Sequence, residues 1–183
     1  MNLNPEFQRN VWLELTPHRL VSMPAILFGV FMLTYLVSFR GVYAPMANMA
    51  MTVFVVLTMF WGTRLAAEAV SGEIRDHTWD NQRMSSISPW HMAWGKLFGS
   101  TVYPWYGAAM SMLVYLICLP HVPSDGFIHA LLLMLSGVLA QSVSLLISLL
   151  MIKKKRDISR STSSAVMLVG SFVGVVSVVG GYT

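Results

Sequence analysis

Five long runs of apolar residues limit what this chain can fold into. The hydrocarbon core of a bilayer is about 30 Å thick, so a helix needs about 20 apolar residues to cross it. The runs are continuous and lack the polar–apolar alternation of membrane barrel strands, so they predict helices. In chain order, the predicted spans are residues 20–39, 46–70, 97–119, 127–152 and 163–181.

Composition supports the same class of protein. Hydrophobic residues make up 55% of the chain and charged residues 11%, whereas about a quarter of the residues in a soluble domain are charged. The single cysteine, Cys118, lies in an apolar run, which predicts a buried, unreactive thiol and excludes an internal disulfide. We therefore predict an all-α, polytopic integral membrane protein with a single transmembrane domain over residues 1–183.

The basic residues predict the orientation of the spans. Of the 12 Lys and Arg residues, all except Arg40 fall on one side if the five spans alternate. The positive-inside rule then places the N-terminus and residues 71–96 in the cytoplasm, with the chain in the plasma (inner) membrane. Because the basic residues flank apolar runs, the net charge of +4 does not indicate nucleic-acid binding.

A short amphipathic helix is predicted before the first span, over residues 4–16. Its apolar residues recur at helical spacing, at Phe7, Val11, Trp12 and Leu15. Such a helix buries one face at the lipid headgroups and lies in the plane of the membrane. A soluble arm is the alternative, but it would leave that apolar face uncovered.

The polar, aromatic-rich insert of residues 71–96 separates the second and third spans. The helix of the second span is expected to continue beyond the membrane, where Arg64 and Glu68 are four residues apart and can pair. Thr78 predicts the N-cap of a short helix, and Ser88–Pro89 predicts the start of the helix that enters the third span. Two rigid helices would thus hold a short exposed helix between them.

Apolar side chains on that short helix need a cover. Trp79, Met84 and Ile87 would either fold onto the membrane surface or dock in a groove of another protein. Docking is favoured on mechanical grounds, because a helix held between two spans converts movement of a cytoplasmic partner into tilting of those spans.

The insert EIRDHTWDNQRMSSISPWHMAWGK, from Glu73 to Lys96, resembles the first cytoplasmic loop of ABC transporter permeases of the type-2 exporter class. That loop typically has an acidic–basic pair, Gly-Thr, an apolar helix, a Pro, and a Gly-Lys that opens the next span. The predicted helix before the first span is similar to the connecting helix of the same family. The chain departs from the pattern at His77, where the family usually has Gly, and at residues 81–83, where it is usually more apolar.

The resemblance implies a transport subunit rather than an enzyme. ATP and Mg²⁺ would bind a separate ATP-binding-cassette ATPase, because this sequence lacks the phosphate loop GxxxxGK[ST]. A second permease subunit, identical or different, and membrane lipids are the other implied partners. The family usually has six spans, so we expect the chain to continue after Thr183. The residues expected to couple to the ATPase are Glu73, Arg75, Thr78, Trp79, Met84, Ile87 and Pro89.

Polar residues within the spans leave two interpretations open. Gln141 and Ser144 share one face of the fourth span with Gly137 and Ser148, and they either line a substrate path or pack helices together. Packing is the favoured interpretation. In the third span, Pro104 predicts a kink, and the neighbouring Tyr103 and Tyr106 are further candidates for a substrate path. Gly170 and Gly174 in the fifth span have a spacing that permits close helix packing.

Two other functions are compatible with the sequence. A non-transporting scaffold would anchor a cytoplasmic partner through the same insert. A small haem or redox subunit is disfavoured, because His121, His129 and the group Asp76, His77 and Asp80 lack the spacing of known metal or haem sites. We expect no catalytic, cofactor or metal residues in this chain.

Overall fold

The structure, a computed structural model, describes residues 5–38, 41–75, 88–118, 120 and 126–153. No strand occurs within these ranges, which agrees with the predicted all-α class. In chain order the elements are α1 (Pro5–Glu14), α2 (Pro17–Val37), α3 (Tyr43–Val55), a π-helical segment (Val56–Gly62), α4 (Thr63–Arg75), α5 (Pro89–Ser100), α6 (Val102–Cys118) and α7 (Gly126–Lys153). The fifth predicted span, residues 163–181, lies outside the described residues.

Three stretches are long and apolar enough to cross a membrane. They are Pro17–Val37, Tyr43–Gly72 and Gly126–Met151, which correspond to the first, second and fourth predicted spans. The second of these stretches consists of α3, the π-helical segment and α4, which follow one another without a break. The third predicted span is divided between α5 and α6, whose axes differ by 56°. The described chain therefore has three such helices, or four if the bent pair counts as one span.

The break between α5 and α6 follows from a proline. Pro104 has no N–H to donate to the carbonyl of Ser100, so the helical ladder is interrupted one turn before the proline. Thr101 adopts φ −102° and ψ 7° at the break, and the ladder resumes with Trp105 N–H donating to Thr101 O at 3.1 Å. The predicted kink is confirmed.

Two helix starts, one of them the predicted start at Ser88–Pro89, have the capping geometry that their sequences indicate. Thr16 is extended, with φ −72° and ψ 151°, and its hydroxyl accepts from Arg19 N–H while Pro17 takes the first helical position. Ser88 caps α5 in the same way, by accepting from His91 N–H. Between α2 and α3 the chain turns at Gly41, whose φ of 123° lies in a region that suits glycine.

The second span is the centre of the described bundle. The first half of this span, α3, packs against α6, and its last part, α4, packs against α7. The π-helical segment between them contacts both α6 and α7. Small residues permit these close contacts. The buried ones include Ala47, Ala50, Ala66, Ala67 and Ala108. Larger core residues such as Phe54, Leu57 and Met112 fill the space between α3 and α6.

Much of the apolar surface is left uncovered by the rest of the described chain. In α2, only 11% of the most apolar window is buried, and Val21, Phe28 and Leu33 are among the exposed residues. A water-soluble monomer rarely exposes a continuous apolar surface of this kind. The surface is compatible with a protein embedded in a membrane.

Candidate functional site

The insert is held at both ends by helices. At its first end α4 extends from the second span as far as Arg75, and Glu73 lies within that helix. At its other end α5 begins at Pro89. Thr78, Trp79, Met84 and Ile87 lie outside the described residues, so the short helix and its docking role stay predictions.

Side chains of α7 fix α4 in place. The Ser144 hydroxyl donates to Thr63 O at 2.8 Å, and the Ser148 hydroxyl donates to Ala67 O at 2.9 Å. The predicted pairing on α4 itself is present, since Arg64 Nε lies 3.1 Å from Glu68 Oε1. The first end of the insert is therefore joined to the fourth predicted span by hydrogen bonds between helices.

A close contact with α1 fixes α5. Asn10 Nδ2 donates to Gly95 O at 3.4 Å, and a Cβ added at Gly99 would lie 2.7 Å from Asn10 Cβ. Gly95 and Gly99 are four residues apart, so they present one glycine face on which α1 approaches closely. Sequence reasoning recognised this spacing at Gly170 and Gly174 and missed it here.

Replacing Gly99 with leucine is expected to release α1 from α5. The obstructing atom, Asn10 Cβ, is fixed to the α1 backbone, so the whole helix must move. We expect amide exchange of residues 5–14 to rise about tenfold or more, as hydrogen–deuterium exchange would show. Gly29→Leu is the control, because none of the described atoms lies within 4 Å of a Cβ there. Unchanged protection of α1 in Gly99→Leu would contradict the contact.

A polar cavity of about 220 Å³ lies on one side of the α1–α5 contact. It brings together Asn10 and Glu14 from α1, Glu68 from α4, and Lys96 from α5. Lys96 is only 3% exposed, although the sequence predicted it simply as a charge at the start of a span. A buried ammonium group is stable only with polar partners, and at this cavity polar side chains of α1, α4 and α5 lie together at one end of the bundle.

Gln141 of α7 connects three helices. Its side chain is fully buried; Nε2 donates to Thr58 O at 3.1 Å, and Oε1 accepts from Trp105 Nε1 at 2.9 Å. Gly62 makes room for this amide, because a Cβ there would lie 2.3 Å from Gln141 Nε2.

Side chains bond to the backbone along the π-helical segment. A π segment shifts the register of the backbone ladder. Here Thr63 N–H bonds to Phe60 O, and Gln141 donates to Thr58 O. The hydroxyl of Thr63 also donates to Met59 O and Phe60 O. Side chains thus satisfy the backbone in an apolar setting, where an unpaired carbonyl is costly.

The two tyrosines proposed for a substrate path both bond to α2. Pro24 lacks an N–H and leaves Leu20 O without its helical donor, and Tyr106 OH donates to that carbonyl at 3.3 Å. Tyr103 OH lies 3.4 Å from Ser22 Oγ, and its ring lies under the Arg19 guanidinium, 5.6 Å from the centroid. Tyr106 also borders an apolar groove, whereas Tyr103, Gln141 and Ser144 are packed between helices. A role in a substrate path stays a prediction for all four.

An apolar groove of about 610 Å³ is bordered by α1, α5 and α6. Its lining consists of Phe7 of α1, Leu15 just after α1, Trp94, Gly95 and Phe98 of α5, and Val102, Trp105 and Tyr106 of α6. Trp94 stacks on Phe98 at 4.8 Å between ring centroids and meets Trp90 edge-on at 5.6 Å.

Within the described ranges, no three His, Cys, Asp or Glu side chains converge on a position where they could bind a metal ion. His121 and the group Asp76, His77 and Asp80 lie outside those ranges.

Fold and site together define an all-helical chain with several long apolar helices, compatible with a membrane-embedded protein. Comparisons with protein-family models, with curated proteins and with solved structures find no match.

Proposed function

We propose that the chain is the transmembrane permease subunit of an ATP-binding-cassette exporter. The observation that carries this proposal is that a helix holds each end of the insert. α4 continues into the insert from the second span, and α5 begins at Pro89, one residue after the Ser88 cap. A segment mounted in this way transmits force, whereas a flexible loop would absorb it. The resemblance of residues 73–96 to the first cytoplasmic loop of type-2 permeases supports the same function.

Movement at the insert has two routes into the bundle. Through α4 it reaches α7, by way of the Ser144 and Ser148 hydrogen bonds. Through α5 it reaches α1, by way of Asn10 at Gly95 and Gly99. An ATPase that changes shape on binding ATP would then bias the spans between two arrangements.

The proposed assembly contains two permeases and two ATPase subunits in the inner membrane, with the N-terminus and residues 71–96 in the cytoplasm. In this arrangement α1 lies in the plane of the membrane. ATP and Mg²⁺ bind the ATPase subunits, and the substrate path lies between the two permeases.

The test is a photo-cross-linking experiment in the native membrane. With p-benzoylphenylalanine at Trp79 of the full-length chain, we expect an adduct with a polypeptide that carries a phosphate loop and hydrolyses ATP. The control probe replaces Phe28, which is 71% exposed on α2 and should give no such adduct. Only lipid adducts from Trp79, or labelling of Trp79 by reagents added outside the cell, would refute the proposal. A scaffold would capture a partner whose ATPase rate does not depend on the permease.

A further inference from the structure

Two clusters of buried apolar side chains can be distinguished within the described ranges. The first joins α2, α3 and α6 with the first part of α7, and in the second span it extends as far as Met59 of the π-helical segment. The second lies among α4, α5 and α7, and in the second span it begins at Ala66. The second span therefore passes from one cluster to the other between Met59 and Ala66.

Each passage between the clusters coincides with an interruption of the α-helical backbone. In the second span it falls where the π-helical segment joins α4. In the third predicted span, Leu97 packs against the second cluster and Tyr103 belongs to the first, and the 56° break at Thr101 lies between them. Hinges are a few element-terminal residues that absorb changes in backbone angles, and π-helical turns are frequent at functional sites.

The two interruptions lie side by side. Trp61 of the π-helical segment meets Tyr103, in the first turn of α6, edge-on at 5.4 Å between ring centroids. Gln141 of α7 joins the same two elements, because it donates to Thr58 O and accepts from Trp105 Nε1. A bend in the second span can therefore be matched by a bend in the third at the same place.

Helix α7 belongs with α4. It is continuous over Gly126–Lys153, and its C-terminal half is joined to α4 by the Ser144 and Ser148 hydrogen bonds and by Leu145 of the second cluster. α4 packs chiefly against α7, whereas α3 packs chiefly against α6. A tilt of α4 is therefore expected to carry α7 with it.

The N-terminal half of α7 can follow such a tilt. There its buried contacts with the first cluster come from Ala130 and Leu133, and apolar contacts have no preferred direction. The hydrogen bond from Tyr115 OH to Gly126 O is long, at 3.4 Å, so a small movement loses little there. We expect α7 to rock about Gln141, where hydrogen bonds hold it to the π-helical segment and to α6.

We propose that α1, α4, α5 and α7 form one unit that tilts against a second unit of α2, α3 and α6, about a hinge at the π-helical segment and Thr101. Asn10 at Gly95 and Gly99 holds α1 to α5, and the polar cavity brings α4 to both of them. The hinge itself depends only on the described packing. Its use in transport rests on the proposed function, because both helices that hold the insert belong to the tilting unit.

The experiment measures distances between pairs of spin labels by double electron–electron resonance, on the full-length chain in nanodiscs with Cys118 replaced by alanine. All labelled positions are exposed. The pair at Trp90 of α5 and Leu113 of α6 spans the hinge. Trp90 with Leu150 of α7 reports on the tilting unit, and Asn48 of α3 with Leu113 reports on the other. Each pair is measured in dimyristoyl and in dierucoyl phosphatidylcholine, because spans tilt to match the thickness of the bilayer.

We expect the distance between Trp90 and Leu113 to differ by about 3 Å between the two bilayers. A tilt of about 10° displaces the far end of α5, roughly 18 Å from the break, by that amount. The two distances within a unit should differ by less than about 1 Å, because packed helices deform little.

Closing the break in the third predicted span should stiffen the hinge. Pro104→Ala restores an N–H that can donate to Ser100 O, so we expect the change in the Trp90–Leu113 distance to fall at least about twofold. Pro24→Ala is the matched control, because it restores an N–H inside α2, away from the hinge, and it should leave the change as it is.

Two results would overturn the hinge, and neither requires the proline variants to fold. The same change in all three distances, or none in any, would show that the bundle responds as one body. A change in the Trp90–Leu150 distance as large as that in the Trp90–Leu113 distance would show that α5 moves alone. Because no ATPase is present, either result refutes the hinge and leaves the proposed docking of the insert untouched, which the cross-linking from Trp79 tests separately.

Discussion

Replacing Gln141 with leucine is expected to lower the free energy of unfolding by roughly 1–3 kcal/mol. Leucine keeps most of the volume but can neither donate to Thr58 O nor accept from Trp105 Nε1. Measured hydrogen bonds between membrane helices are worth about 0.6 kcal/mol on average. The larger part of the expected loss arises because the indole N–H of Trp105 is left without its acceptor among apolar groups, while Thr58 O loses its side-chain donor.

Unfolding in mixed micelles with increasing dodecyl sulfate would measure this loss. Ser142→Ala is the matched control on α7, because the Ser142 hydroxyl bonds only to Val138 O of its own helix, and we expect a change below about 0.5 kcal/mol. The comparison also separates the two interpretations of Gln141. If Gln141 packs helices together, its replacement lowers the free energy of unfolding. A residue that only lines a substrate path would leave stability unchanged and alter activity alone, which would contradict our prediction.

The features that the sequence predicted depend on residues that are close together in the chain. An apolar run long enough to cross a bilayer is expected to be helical, and the first, second and fourth predicted spans contain such helices. Thr16–Pro17 and Ser88–Pro89 set helix starts because a hydroxyl and the following backbone amides suffice for a cap. Pro104 likewise interrupts the backbone ladder of its helix because it lacks an amide hydrogen.

Features that depend on distant residues were missed. The π-helical segment is joined to Gln141, 83 residues away from Thr58, and no local pattern in Val56–Gly62 indicates it. The Gly95–Gly99 face was visible in the sequence, but its partner Asn10 lies 85 residues from Gly95. The bonds of Tyr106 and Tyr103 to α2 also depend on tertiary packing. For the coupling residues 78–87 the sequence remains the only guide.

Replacing all three of Trp79, Met84 and Ile87 with aspartate is expected to abolish the coupling of this chain to the ATPase subunit that we propose as its partner. Fully burying an apolar side chain of this size contributes about 1.5–3 kcal/mol, so the loss of three anchors weakens docking by at least about a thousandfold. In proteoliposomes that contain both subunits, the ATPase rate should fall to that of the ATPase subunit alone. Membrane insertion should be unaffected, since all three residues lie outside the predicted spans.

Added negative charge is the confounding factor, and a second triple variant controls for it. Aspartate at Asn81, Gln82 and Ser85 introduces the same charge into the same predicted helix and leaves its apolar anchors in place. If coupling depends on those anchors, this control retains most of the ATPase stimulation. Equal loss in both variants would indicate electrostatic repulsion, and unchanged stimulation in the first would exclude the insert as the docking element. The scaffold alternative predicts another outcome. The unaltered chain would then bind its partner without stimulating ATP hydrolysis, and the first variant would lose that binding.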